Sequence, residues 1–181
     1  LELCPDYTKI PVVAKAGAME AVVHALADCD GKVSKAVPTE LLPALCNLSA
    51  GDDDPGKERA NKLVSLGAIE SIGNVLRLYA AAPSEAGCSE DSANYNLILR
   101  SVWALQHLCR KEQLLYRSTS AWLNKLVDSQ IVAFTCTLPR RYPDQRKLLT
   151  RVSFLLSAVA YALVEAIEQG SGYAYFFDAF S

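Results

Sequence analysis

Histidine and methionine are nearly missing from this sequence: two histidines and one methionine in 181 residues. His24 and His107 each fall in a helical pattern with no second ligand at i+4, so no histidine pair of the kind that holds zinc is present. Neither G-x-S-x-G nor H-E-x-x-H occurs, which removes the two commonest hydrolase signatures. Six cysteines are present, Cys4, Cys29, Cys46, Cys88, Cys109 and Cys136. None forms a C-x-x-C pair, and their spacing is neither that of a zinc site nor that of a disulfide framework. Cys46 and Cys109 lie in apolar helical patterns, where a free thiol acts as a small hydrophobe. The expectation is a reducing compartment, cytoplasmic or nuclear.

A basic n-region followed by an apolar stretch and a small-residue cleavage site is also missing. The sequence starts at Leu1 and reads as a piece of a longer protein. Its longest apolar stretch, Val152 to Ile167, contains Ser153, Ser157 and Glu165. It falls short of the roughly 20 residues that cross a bilayer, so a buried core helix is expected rather than a transmembrane one.

Charge is scarce overall and unevenly placed. The net formal charge is −2. Residues 1–99 carry 8 basic and 14 acidic side chains, a net of −6, whereas residues 100–151 carry 10 basic and 3 acidic, a net of +7. Residues 152–181 add three acids and no base, a net of −3. The basic segment reads first as a solvated helix face plus an exposed loop, and second as a surface that attracts an acidic segment of a partner protein. It contains no recognised reading motif for nucleic acid, and none is expected to bind.

What the sequence does have is self-similarity. IPVVAKAGAMEAVVHAL (10–26) aligns without gaps on ANKLVSLGAIESIGNVL (60–76). Gly17 falls on Gly67, Ala18 on Ala68, Met19 on Ile69, Val22 on Ile72 and Leu26 on Leu76. In each, a short apolar helical stretch ends at a glycine able to take positive φ. A second helix then starts, with Met19, Val22, Val23 and Leu26, or Ile69, Ile72, Leu76 and Tyr79, on one buried face. A third helix follows each pair, Pro38–Ser49 and Asn96–Arg110. These also align, with Ala44 on Ala104, Leu45 on Leu105, Asn47 on His107 and Leu48 on Leu108. Pro38 suits a first turn, while Pro43 should kink or break the helix.

A third unit is fainter. Glu112–Asp128, Ile131–Leu138 and Gln145–Glu168 would be its helices. Asp128-Ser129 stands where the glycine turn should be, and Pro139 and Pro143 bracket a basic turn, Arg140-Arg141-Tyr142. Asp28–Lys35 and Ala82–Ala93 are polar connections, the latter the best candidate for a disordered insertion. The tail Gly170–Ser181 is aromatic.

Gly51–Lys57 (GDDDPGK) fits the letters of a phosphate-binding loop. A helix rather than a strand precedes it, Glu58 replaces the required Ser/Thr, and Asp52, Asp53 and Asp54 repel phosphate. A solvated loop is the reading. Asp28-Cys29-Asp30-Gly31 lacks the later acids of a calcium loop and reads as a turn. No enzyme activity and no cofactor are expected.

The pattern resembles the armadillo repeat family over roughly residues 8–110. Ala16-Gly17-Ala18-Met19 and Leu66-Gly67-Ala68-Ile69 look like the family's A-G-A-I junction. Ala44-Leu45-Cys46-Asn47-Leu48-Ser49-Ala50-Gly51 looks like its third-helix ending, and Trp103-Ala104-Leu105-Gln106-His107-Leu108 like the W-A-L-x-N-L version. Pro43 stands where the family often has tryptophan, and His107 where it often has asparagine. HEAT repeats are the nearest alternative. The resemblance implies an all-α armadillo-type solenoid, a right-handed superhelix of three-helix repeats forming one domain over 1–181: repeat 1 about 5–51, repeat 2 about 56–110, a degenerate repeat 3 about 112–168, and the tail 170–181. It implies a protein–protein interaction scaffold whose third helices line a groove. Carried over by position, Asn47, Trp103 and His107, flanked by Arg100 and Arg110, are the candidate partner-binding residues. The alternative is a structural subunit packed permanently in a large cytoskeletal or axonemal assembly, which the apolar last helix and aromatic tail suggest.

Overall fold

A computed structural model describes residues 9–29, 33–51, 53–80, 93–109 and 119–168. The fold is all-α, with no strand among the described residues. The described helices are α1 (Ile10–Lys15), α2 (Ala18–Ala27), α3 (Ala36–Leu48), α4 (Asp54–Ser65), α5 (Ala68–Ala80), α6 (Ala93–Leu108), α7 (Thr119–Asp128), α8 (Ile131–Arg141) and α9 (Arg146–Glu168). The connection Ala82–Ala93 and the tail Gly170–Ser181 lie outside the described residues, apart from Ala93 at the start of α6.

The junctions explain why the helices break where they do. Gly17 and Gly67 hold φ of +92° and +93° between α1 and α2 and between α4 and α5, a conformation that costs L-residues with a Cβ. Asp53 stops the α3–α4 connection by capping α4, its carboxylate accepting from the Gly56 amide at 3.1 Å. The third junction departs from expectation. The residue that turns the chain between α7 and α8 is Gln130, at φ +56°, not Asp128-Ser129. The basic turn is also displaced: α8 runs through Pro139 to Arg141, and the turn falls at Tyr142–Gln145.

The expected break at Pro43 does not occur, and α3 continues through it to Leu48. A proline at 43 cannot donate to the carbonyl four residues earlier, that of Thr39. Arg100 of α6 supplies the missing donor, its Nη1 hydrogen-bonding the Thr39 oxygen. The helix survives because a neighbour satisfies the group that the proline orphans.

Helices near in sequence pack together: α1 with α2 and α3, α2 with α3, α4 with α5, α5 with α6, and α7, α8 and α9 mutually. Further along the chain, α2 packs on α4 and α5, α3 on α6, α5 on α7, and α6 on α9. Two ion pairs recur at matching positions. Glu20 of α2 meets Lys62 of α4 at 2.6 Å, and Glu70 of α5 meets Lys125 of α7 at 2.8 Å. Each acid lies three residues past the left-handed turn, and each lysine five residues before the next one. The Lys62 ammonium, hydrogen-bonded to Glu20, holds that carboxyl below its ordinary range.

One apolar core runs through all of this, from Ala14 and Met19 to Val159 and Ala166. Gly73 of α5 lets α8 come close: a Cβ there would run into the Ile131 side chain. Cys46 and Cys109 are buried, and burial pushes the Cys46 thiol up to about 12 and the Cys109 thiol up as well, which keeps both neutral and apolar. Helix α9 is longer than its apolar run suggests. At 23 residues it is long and apolar enough to cross a membrane by length and composition. Its buried residues, Leu148, Val152, Leu155, Val159, Ala162 and Ala166, alternate in steps of four and three along one stripe facing the core.

Candidate binding groove between α6 and α9

A cleft lies where α6 and α9 run side by side. It has a volume of about 550 Å3 and is lined by Leu99, Arg100 and Trp103 of α6 and by Arg146, Lys147, Thr150, Arg151 and Phe154 of α9. The spacing accounts for it. Residues 99, 100 and 103 share one face of α6. Residues 146, 150 and 154 form one ridge of α9, and 147 and 151 the next. Leu99 and Trp103 are half-buried against the core, whereas Phe154 is 56% exposed.

Two guanidinium groups are fixed in place. Arg151 lies over the Trp103 ring, 5.8 Å from its centroid. It also donates through Nη1 to Gln106 Oε1 at 3.1 Å. Arg100 is tied through Nη1 to α3 at the Thr39 carbonyl. Four cations therefore line the cleft, and no acidic side chain does. Asp144, the nearest acid in the sequence, lies outside it.

Of the five residues singled out from sequence, Trp103 and Arg100 line this cleft. Asn47 is exposed near the end of α3 and does not line it. His107 is half-buried on α6, one turn beyond Trp103, also outside the cleft. Arg110 lies outside the described residues. Sequence reading missed the whole α9 wall, Arg146, Lys147, Thr150, Arg151 and Phe154. The i, i+4, i+8 ridge at the start of that helix was the available signal.

Among the described residues of the basic segment, two further cations are engaged elsewhere in the fold. Arg141 donates to the Ala80 carbonyl at the end of α5, at 2.7 Å. Lys125 is held by Glu70. Arg140 is exposed on α8, away from the cleft.

The GDDDPGK segment is arranged as a helix cap. The Gly56 amide, which a phosphate loop would turn to its ligand, is donated to Asp53, and a Cβ at Gly56 would strike the Gly51 carbonyl. Among the described residues, no three His, Cys, Asp or Glu side chains gather as a metal-holding group.

Scans against protein-family models, curated proteins and solved structures find no match to this chain.

Proposed function

We propose that the chain is a protein-binding module, an armadillo-type α-solenoid of three-helix repeats wound as a right-handed superhelix, with a partner held along its third helices. What carries the reading is the cleft between α6 and α9, which joins half-buried Trp103 to fixed arginines on the helices that stack third on third. Half-buried aromatics and arginines are the side chains that dominate protein interfaces. The matching Glu20–Lys62 and Glu70–Lys125 pairs support the repeat itself. On this reading the chain is neither an enzyme nor a nucleic-acid binder. It works in the cytoplasm or nucleus, does not span a membrane, and needs no cofactor.

The test is a partner captured by the wild-type chain, identified by mass spectrometry, purified and titrated. Trp103→Ala combined with Asn47→Ala should weaken its binding while helical circular dichroism is retained. Unchanged affinity in a folded variant would move the site off the third helices.

A second reading is favoured by the ends of the stack. Val12, Val13 and Val37 are exposed at one, and Phe154, Tyr161, Val164 and Ile167 at the other. Apolar patches of this kind mark surfaces that pack on something else. The chain would then be a permanent structural subunit of a large assembly, cytoskeletal or axonemal, and a clean monomer by light scattering would count against it.

A further inference from the structure

We infer that the α6–α9 cleft takes a short acidic segment of a partner protein that also carries an aromatic or large aliphatic side chain. The inference rests on the binding-module reading and names the partner's chemistry. Arg100, Arg146, Lys147 and Arg151 converge on one cleft with no acid among its walls. The first turn of α9 carries Arg146 and Lys147 and no acid, so its cations add to the positive end of the helix dipole instead of offsetting it. Carboxylates entering there meet both. Between the charges, Leu99, Trp103 and Phe154 form an apolar wall. Trp103 and Phe154 can close on an inserted ring or aliphatic chain and lose water together with it.

The charge distribution favours a short protein segment over nucleic acid. Residues 1–99, with 8 basic and 14 acidic side chains, are net negative. Of the basic segment, Arg141 and Lys125 are spent on contacts within the fold. Among the described residues of the basic segment, four of its cations, Arg100, Arg146, Lys147 and Arg151, gather at the cleft. A long polyanion that needs many phosphate contacts would run out over acidic surface, whereas a few carboxylates around one apolar anchor match the cleft's extent.

The experiment uses the full chain and a short fluorescein-labelled glutamate-rich peptide with one central phenylalanine, read by anisotropy. Three further probes are its lysine-for-glutamate version, its serine-for-phenylalanine version and a single-stranded oligothymidine. The acidic phenylalanine peptide should bind best, and more weakly as salt rises. Reversing Arg146→Glu and Lys147→Glu together, two exposed positions, should weaken it at least about tenfold. Removing its phenylalanine should weaken it similarly, and Arg140→Glu should leave it unchanged. Preferred binding of the lysine peptide or the oligothymidine, or indifference to the double reversal, overturns the acidic assignment. If no probe binds but Trp103→Ala still abolishes binding of the captured partner, the acidic assignment fails and the module stands. If that variant folds and leaves partner binding intact, the third-helix site fails with it.

Discussion

Gln130 is the one non-glycine residue with positive φ among those described. An L-residue held in the left-handed region costs about 1–2 kcal/mol relative to its ordinary conformations. The strain is tolerated because the next residue, Ile131, is buried against the close approach that Gly73 allows. Gln130→Gly should therefore stabilise the fold by up to about 1 kcal/mol, the relief exceeding the extra entropy of a glycine in the unfolded chain. Gly67→Ala, imposing the reverse change at the matching position, should cost about 1 kcal/mol. Urea unfolding midpoints of the two variants measure both, and equal shifts of one sign would refute the shared geometry. Gly17 and Gly67 were legible in the sequence because sterics reserve their conformation for glycine. Gln130 was not, because nothing local marks a residue that tertiary packing forces into the same place.

At the scale of elements, arginine side chains clasp helices whose own backbones leave carbonyls open. Arg59 of α4 donates through Nε to Leu48 and through Nη2 to Ala50 at the end of α3, at 2.9 and 2.6 Å. Arg141 of α8 reaches the end of α5, and Arg77 of α5 the Ser129 carbonyl beyond α7. C-terminal carbonyls lack intrahelical donors and carry the negative end of the dipole, so a guanidinium suits them. Arg100 does the same inside α3, at the carbonyl that Pro43 leaves open. Arg100→Ala should then cost about 1 kcal/mol, the low end of the penalty for losing the partner of an acceptor that is only part-buried. In a Pro43→Ala background the backbone amide returns to Thr39 and the cost of losing Arg100 should shrink. A double-mutant cycle reads the coupling, and additive losses would sink the account. Helix positions were readable from apolar period and glycine turns. These clasps join residues up to 61 apart, which no local pattern encodes. Reading Pro43 by local rules alone predicted a break for the same reason, and the α9 wall of the cleft was missed because neighbouring helices are needed to make a groove.

Over the whole molecule, α9 is where the alternatives meet, since it walls the cleft, packs in the core and is the last described helix. Its two faces differ sharply: Val159 is 3% exposed and packs in the core, while Val164 is 54% exposed. If α9 is the core helix of a water-soluble stack, Val159→Lys places an unpaired charge inside and should cost about 3–5 kcal/mol. Val164→Lys should change stability by less than about 0.5 kcal/mol. A helix surrounded by lipid would instead be penalised at both positions, because a charge in hydrocarbon is expensive on every face. The same pair separates the two proposed functions. For a permanent assembly subunit, the wild-type chain associates through Phe154, Tyr161, Val164 and Ile167, and Val164→Lys lowers the mass seen by light scattering without unfolding the chain. For an independent binding module, wild type and Val164→Lys have the same monomer mass, and peptide binding at the cleft is untouched, since Val164 lies ten residues beyond Phe154 and outside its walls.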